Sequence, residues 1–280
     1  MKPTFPVVAV ATLVLAACSN HVMDSSGHDY LSRYDAQVQV GGKASVRAGS
    51  AGEKTGEDRF RQAAAVEPLL ETPARIGLAR IYRGVITFVP MQETEGWQAL
   101  AKKHGGKAEF MPISPALAEF TAQSVGMPRS GDWRARTGDL IQTIRLGAAR
   151  QHLDAVLIYE IGAYAKKETT WLAIADLTLI GGAILPTREI TAFGQGSALL
   201  LDVRNGYAYG FANAQKDLTN VWASWGSDAA TDDMRESAAA AAVEALQSEV
   251  DEMLVTVLKK AEARKAKRLA RASPEPKPAG

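Results

Sequence analysis

The sequence predicts an α/β (α+β) domain: a mixed sheet with helices packed on it, a long C-terminal amphipathic helix, and a flexible tether in front. Three observations carry this. Ala155 to Tyr159 is apolar on both strand faces and directly follows a helical stretch, as in a central strand covered on two sides. Arg204-Asn205-Gly206 separates two apolar runs, and Asn-Gly between such runs is a strong short-range hairpin signal. Leu246, Val250, Met253, Leu254, Val257 and Leu258 form one apolar stripe at helical spacing.

The elements follow in order. Ser19 to about Glu57 is rich in Ser, Gly and charge, with little apolar periodicity, so it reads as a tether that cannot offset its ordering entropy. Tyr30, Leu31 and Tyr34 form a small apolar cluster within it, which either docks on the domain or is simply linker. Ile76 to Ile81 and Val85 to Val89 read as strands joined by a turn at Arg83-Gly84. Glu93 to Lys103 is a helix with Trp97, Leu100 and Ala101 on one face, stopped by Gly105-Gly106. Lys107 to Ile113 is a short strand, and Pro115 to Gln123 a helix with proline at an early position. Met127 to Arg134 is a loop by composition, after which Thr137 can cap a helix carrying Leu140, Ile141, Ile144 and Ala148.

Beyond the central strand, Thr169–Thr178, Ile184–Thr191, Ser197–Val203 and Tyr207–Ala214 are strand candidates. Gly181, Gly182, Gly194 and Gly196 are expected at bends or bulges. Residues 215–230 read as a polar loop holding Trp222 and Trp225, and a helix is expected from Asp232 to Ala270. Past Lys259 the apolar stripe stops, so the basic end of that helix is expected to stand clear of the domain.

The amino terminus has a different character. Lys2 precedes an apolar run from Phe5 to Leu15 that closes on small residues, the pattern of a secretory signal. The run is too short to span a bilayer as a helix. Leu15-Ala16-Ala17-Cys18 resembles the bacterial lipoprotein lipobox at all four positions, and Cys18 is the only cysteine. The resemblance implies diacylglycerol on the Cys18 sulfur, cleavage before it and acylation, commonly palmitate, of the new amino terminus. Two or more acyl chains anchor stably where one does not. Ser19, in place of the aspartate that retains such proteins in the inner membrane, implies the outer membrane. A tether of about 40 residues would let the domain explore roughly 35 Å.

The stretch from residue 74 to 260 resembles a periplasmic α/β domain. It is shared by the TolB amino-terminal domain, the curli-secretion lipoprotein and lipoprotein activators of penicillin-binding proteins. Leu153-Asp154-Ala155-Val156-Leu157 and Asp202-Val203-Arg204-Asn205-Gly206 carry the likeness. More narrowly the chain is similar to the rhombotarget lipoproteins, though its end, SPEPKPAG, lacks the apolar segment of some members. The expected organisation is a signal peptide (1–17), the lipidated cysteine and tether (18–73), a periplasmic domain (74–260) and a basic, Pro-rich tail (261–280).

With 46% hydrophobic and 22% charged residues and a net charge of +1, no bulk attraction to nucleic acid is implied. His21 and His28 fall in the tether, His104 at a helix end and His152 near Asp154; no HExxH, Walker loop or GxSxG accompanies them. The sequence therefore points to a non-enzymatic envelope protein without catalytic residues, metal or cofactor, binding an envelope protein partner. An oligomeric secretion channel is the alternative and a hydrolase the third. Candidate contact residues are Trp222, Trp225, Lys259, Lys260, Arg264 and Lys265. The tryptophans either anchor a partner or fold onto the core. The basic group is either a solvated helix end or a contact for anionic lipid.

Overall fold

A computed structural model describes residues 19–23, 25–40, 56–127, 133–169, 188–222 and 227–272. Among them are seven strands in one mixed sheet and six helices, the last of them long, as the α/β reading requires. The sheet runs β1 (Ser19–Val22), β7 (Ala208–Trp222), β6 (Arg188–Asp202), β5 (Ala155–Thr169), β2 (Ala74–Tyr82), β3 (Val85–Thr87), and β4 (Ala108–Pro112) also pairs with β2. β2 is parallel to β4 and β5, and every other pairing is antiparallel.

β5 shows why the centre forms. Ala155, Leu157, Tyr159 and Ile161 face one core; Val156 and Ile158 face the other. That two-residue period buries both faces. The first core is closed by α6 (Ser227–Ala272), whose stripe from Leu246 to Leu258 is buried, and by Trp97 and Leu100 of α3 (Met91–Lys103). Ile144 and Ala148 of α5 (Trp133–Arg150), with Ala118 of α4 (Pro115–Ser124), close the second. Arg83 and Gly84 take positive φ in the β2–β3 turn. The Ser114 hydroxyl accepts from the Leu117 N–H at 3.3 Å and caps α4, with Pro115 following.

Several expectations are corrected. Thr137 lies inside α5, because Arg134, Ala135 and Arg136 are good helix formers and begin it a turn earlier. The pieces at Ile184–Thr191 and Ser197–Val203 belong, over Arg188–Asp202, to one strand, β6, with Val203 in the turn that follows. Thr169 closes β5, and the remainder of Thr169–Thr178 lies outside the described residues, as do Gly181 and Gly182. Residues 215–222 continue β7 rather than forming a loop, paired as far as Arg188↔Trp222. Gln215 to Asp217 and Thr219 to Val221 are exposed and Leu218 is half-buried, so strand pairing rather than burial holds this end.

Gly194 and Gly196 mark no bend; the only register shift between β6 and β7 is at Leu200/Leu201. They let a helix approach. A Cβ on Gly194 would run into the Ala238 carbonyl of α6, and one on Gly196 would meet Leu246 at 3.2 Å. The Asn205-Gly206 hairpin is wider than a two-residue turn. Asp202 N–H donates to the Tyr207 carbonyl at 2.8 Å, and only Gly206 has positive φ. Side chains build the wider loop: Asp202 Oδ1 accepts from Arg204 N–H at 2.8 Å and Asn205 Oδ1 from Tyr207 N–H at 3.0 Å.

The expected tether is structured over its described residues. Ser19 to Val22 add a strand to the β7 edge. α1 (Gly27–Val40) and α2 (Gly56–Ala64) pair through Tyr34 and Phe60, whose rings lie 4.9 Å apart, and through an Arg61–Asp35 ion pair of 2.6 Å. A small aromatic cluster thus joins Tyr30 and Tyr34 to Phe60 of α2, within the stretch expected to be tether.

Candidate functional site

Two regions gather the candidate residues. The first is the amino-terminal strand. Cys18 lies outside the described residues, but Ser19, joined to it, is opposite Asn213 in the sheet. The Asn20 side chain donates to Glu249 and Glu252 of α6, each at 3.1 Å. The His21 ring lies 5.3 Å from that of Phe211. Met23 N–H donates to the Tyr209 carbonyl at 2.9 Å, and the Tyr207 hydroxyl to the Ser25 carbonyl at 3.0 Å. Gly210 makes room for this strand: a Cβ there would sit 2.5 Å from the His21 carbonyl oxygen.

The second is the basic end of α6, which was expected to stand clear. It docks instead. Ala261 is buried, Arg264 donates to the Leu70 carbonyl at 3.3 Å, and Lys265 to the Thr72 carbonyl at 2.7 Å. Arg268 pairs with both carboxylate oxygens of Glu71, at 2.6 and 2.8 Å. The segment leading into β2 presents these carbonyls outside the sheet, and cations on a helix end satisfy them. Lys259 is exposed and Lys260 half-buried. A cavity of about 500 Å³ lies between this segment, Asp154, Arg204, Arg264 and Arg268. Trp222 closes β7, while Trp225 lies outside the described residues.

Beside that cavity is a polar cluster whose Asp202 and Arg204 the sequence marks only as part of a motif and whose Tyr209 it does not single out. Asp202 is wholly buried. Its carboxylate accepts from the Tyr209 hydroxyl at 2.6 Å and from the Arg204 guanidinium at 3.0 and 3.2 Å. The Tyr209 hydroxyl in turn accepts from Leu70 and Leu69 N–H at 2.6 and 3.1 Å. Burial, and then the bond to Asp202, hold the Tyr209 phenol well above its ordinary range. An aspartate ending the apolar run Leu199-Leu200-Leu201 was the available signal. A second cluster joins Glu93 to Arg80 at 3.1 Å and to the Tyr159 hydroxyl at 2.7 Å. Burial, then the Glu93 charge, push that phenol up as well.

His104 ends α3 with Nε2 2.9 Å from Asp251, which also pairs with Lys103. The His152 carbonyl accepts from Arg75 at 3.2 Å, and the Asp154 carboxylate accepts from Arg75 backbone N–H at 2.9 Å. Among the described residues no group of three or more His, Cys, Asp or Glu is placed to hold a metal ion. Nor is any described helix long and apolar enough to cross a membrane.

No protein-family model matches the chain, and no curated protein does. Among solved structures it is similar to the PelC dodecamer from Paraburkholderia phytofirmans. That match has 16% identity over 64% of this chain and 91% of that one, with a TM-score of 0.27. It is also similar to the lipoprotein GNA1162 from Neisseria meningitidis (16% identity, 53% and 84% of the two chains, TM-score 0.24). The LpoB C-terminal domain from Salmonella enterica gives 11% identity, the same coverage and 0.24. Overlaps this loose carry no argument about what the chain does.

Proposed function

We propose that this chain is an envelope lipoprotein, acylated on Cys18 and held at the outer membrane. Its α/β domain acts in the periplasm as a non-enzymatic partner-binding or assembly factor. The observation that carries the reading is the sole cysteine at the end of Leu15-Ala16-Ala17-Cys18, behind a basic residue and an apolar run. In support, both conspicuous buried polar clusters, around Asp202 and Glu93, have their hydrogen bonds filled by neighbouring segments. Such networks rigidify a scaffold.

The test is Cys18→Ala, followed by membrane fractionation and intact mass. The wild-type chain should carry acyl chains and float with outer membranes, and the variant should accumulate unprocessed or soluble. A variant that reaches the outer membrane at the wild-type mass defeats the reading.

One observation favours the oligomeric channel as a second reading. β5, β6 and β7 are each 15 residues long and outrun β1 and β2, which leaves the outer edges of β5 and β7 unpaired there among the described residues. Lys166, Lys167 and Glu168 on one edge strand and Lys216 and Asp217 on the other weigh against it, because charges blunt strand pairing. Mass photometry of the detergent-extracted protein separates the two readings.

A further inference from the structure

We propose that the lipid anchor has no tether: β1 clamps it to the sheet, so that the distal end of the β5–β6–β7 ribbon lies at the bilayer headgroups. This rests on the acylation of Cys18 proposed above.

The argument is one of chain geometry. Consecutive Cα atoms are 3.8 Å apart, so the acylated sulfur sits within about 7 Å of the Ser19 Cα. Ser19 is a paired strand residue, opposite Asn213. No loose chain therefore separates membrane and domain. The stretch read as a tether is instead an excursion between β1 and β2 of the same sheet.

Direction follows from the pairing. β1 is antiparallel to β7, with Val22↔Gly210 and Ser19↔Asn213. Going back along β1 toward Cys18 thus leads along β7 toward Trp222, and the anchor leaves toward the distal ribbon. From Asn213 to Trp222 the ribbon continues roughly 30 Å at about 3.3 Å per residue. It has left its other neighbour too, since β2 pairs with β5 only as far as Glu160. The ribbon itself carries Lys166, Lys167, Glu168, Arg188, Glu189, Lys216 and Asp217. Because the anchor sits beside Asn213, short of the ribbon's end, those charges oblige the ribbon to lie along the headgroup layer rather than run down into the hydrocarbon.

Site-directed fluorescence on the lipidated full-length protein tests this. The acylated thiol of Cys18 does not react with a maleimide, so one added cysteine labels uniquely. Lys216→Cys and Val221→Cys probe the distal ribbon. Arg150→Cys, an exposed residue ending α5 at the opposite end of β5, is the control. The protein is reconstituted into phosphatidylethanolamine–phosphatidylglycerol vesicles containing a lipid with a nitroxide on its headgroup. The two ribbon labels should be quenched at least threefold more than the Arg150 label. A second series carries a Gly-Ser spacer of about ten residues after Ser19, long enough to reach roughly 17 Å, and should abolish the difference. Equal quenching of all three labels in an acylated protein overturns the proposal. So does a quenching pattern that the spacer leaves unchanged. Intact mass without acyl chains overturns the lipidation reading itself, and the two failures are thereby distinguished.

Discussion

Gly194→Ala tests whether α6 is seated directly on the ribbon. An added Cβ would collide with the Ala238 carbonyl, lying 2.6 Å from its carbon and 3.0 Å from the Ala242 Cβ. Carbon atoms rest at about 3.5 to 4.0 Å, so the helix must back away by about 1 Å. Overpacking of this kind costs about 1 to 3 kcal/mol. Backing off also loosens the contacts of Ala238, Ala242 and Leu246, all fully buried, since a gap of about 1 Å forfeits up to half of each attraction. The sum is about 3 kcal/mol, which for a domain of about 200 residues lowers Tm by roughly 6 to 12 °C. Gly162→Ala is the control. It lies on β5 opposite Gln195, and a Cβ there meets nothing within 4 Å. Its effect should stay within about 0.5 kcal/mol. Thermal melts of the chain from Ser19 onward, followed by circular dichroism, compare the two. If both variants melt together, α6 does not lie against Gly194 and the close-approach account of this strand fails.

Tyr209→Phe removes the hydroxyl that donates to Asp202 and accepts from Leu69 and Leu70, and should cost about 1 to 3 kcal/mol. A lower urea midpoint at unchanged slope would show it. A basic end standing clear of the domain, as composition alone predicts, would let the chain end after Leu258 with folding nearly unchanged. The docked Ala261, Arg264 and Lys265 instead predict a loss of about 1 to 3 kcal/mol, with little from the exposed Arg268–Glu71 pair, and an unaltered melting curve would contradict this. Stability should also fall at alkaline pH. Tyr159 and Tyr209 have folded-state pKa values raised above the ordinary 10.0, so their contribution is complete below about pH 10 and is lost as pH rises beyond it. Urea midpoints measured from pH 8 to 11 should decline above 10, less so in Tyr209→Phe, and a flat profile would refute the assignment.

The sequence by itself determined what local period and local chemistry can carry. The alternation of Ala155 to Tyr159, the stripe from Leu246 to Leu258, the turn at Arg83-Gly84 and the stop at Gly105-Gly106 each depend on residues a few positions apart. The acylation proposed at Cys18 likewise rests on a contiguous word, Leu15-Ala16-Ala17-Cys18, read without any fold. Tertiary structure decided the rest. Ser19-Asn20-His21-Val22 has no strand pattern of its own; it extends because the β7 edge offers hydrogen bonds and Gly210 leaves room. Gly194 looked like a bend and proved a seat for a helix some 40 residues on. The basic end of α6 looked solvated because its partners, the carbonyls of Leu70 and Thr72, lie 194 and 193 residues away. Periodicity reports which side of an element is apolar. Where an edge lies open, and which remote carbonyl needs a cation, exist only once the chain has closed on itself.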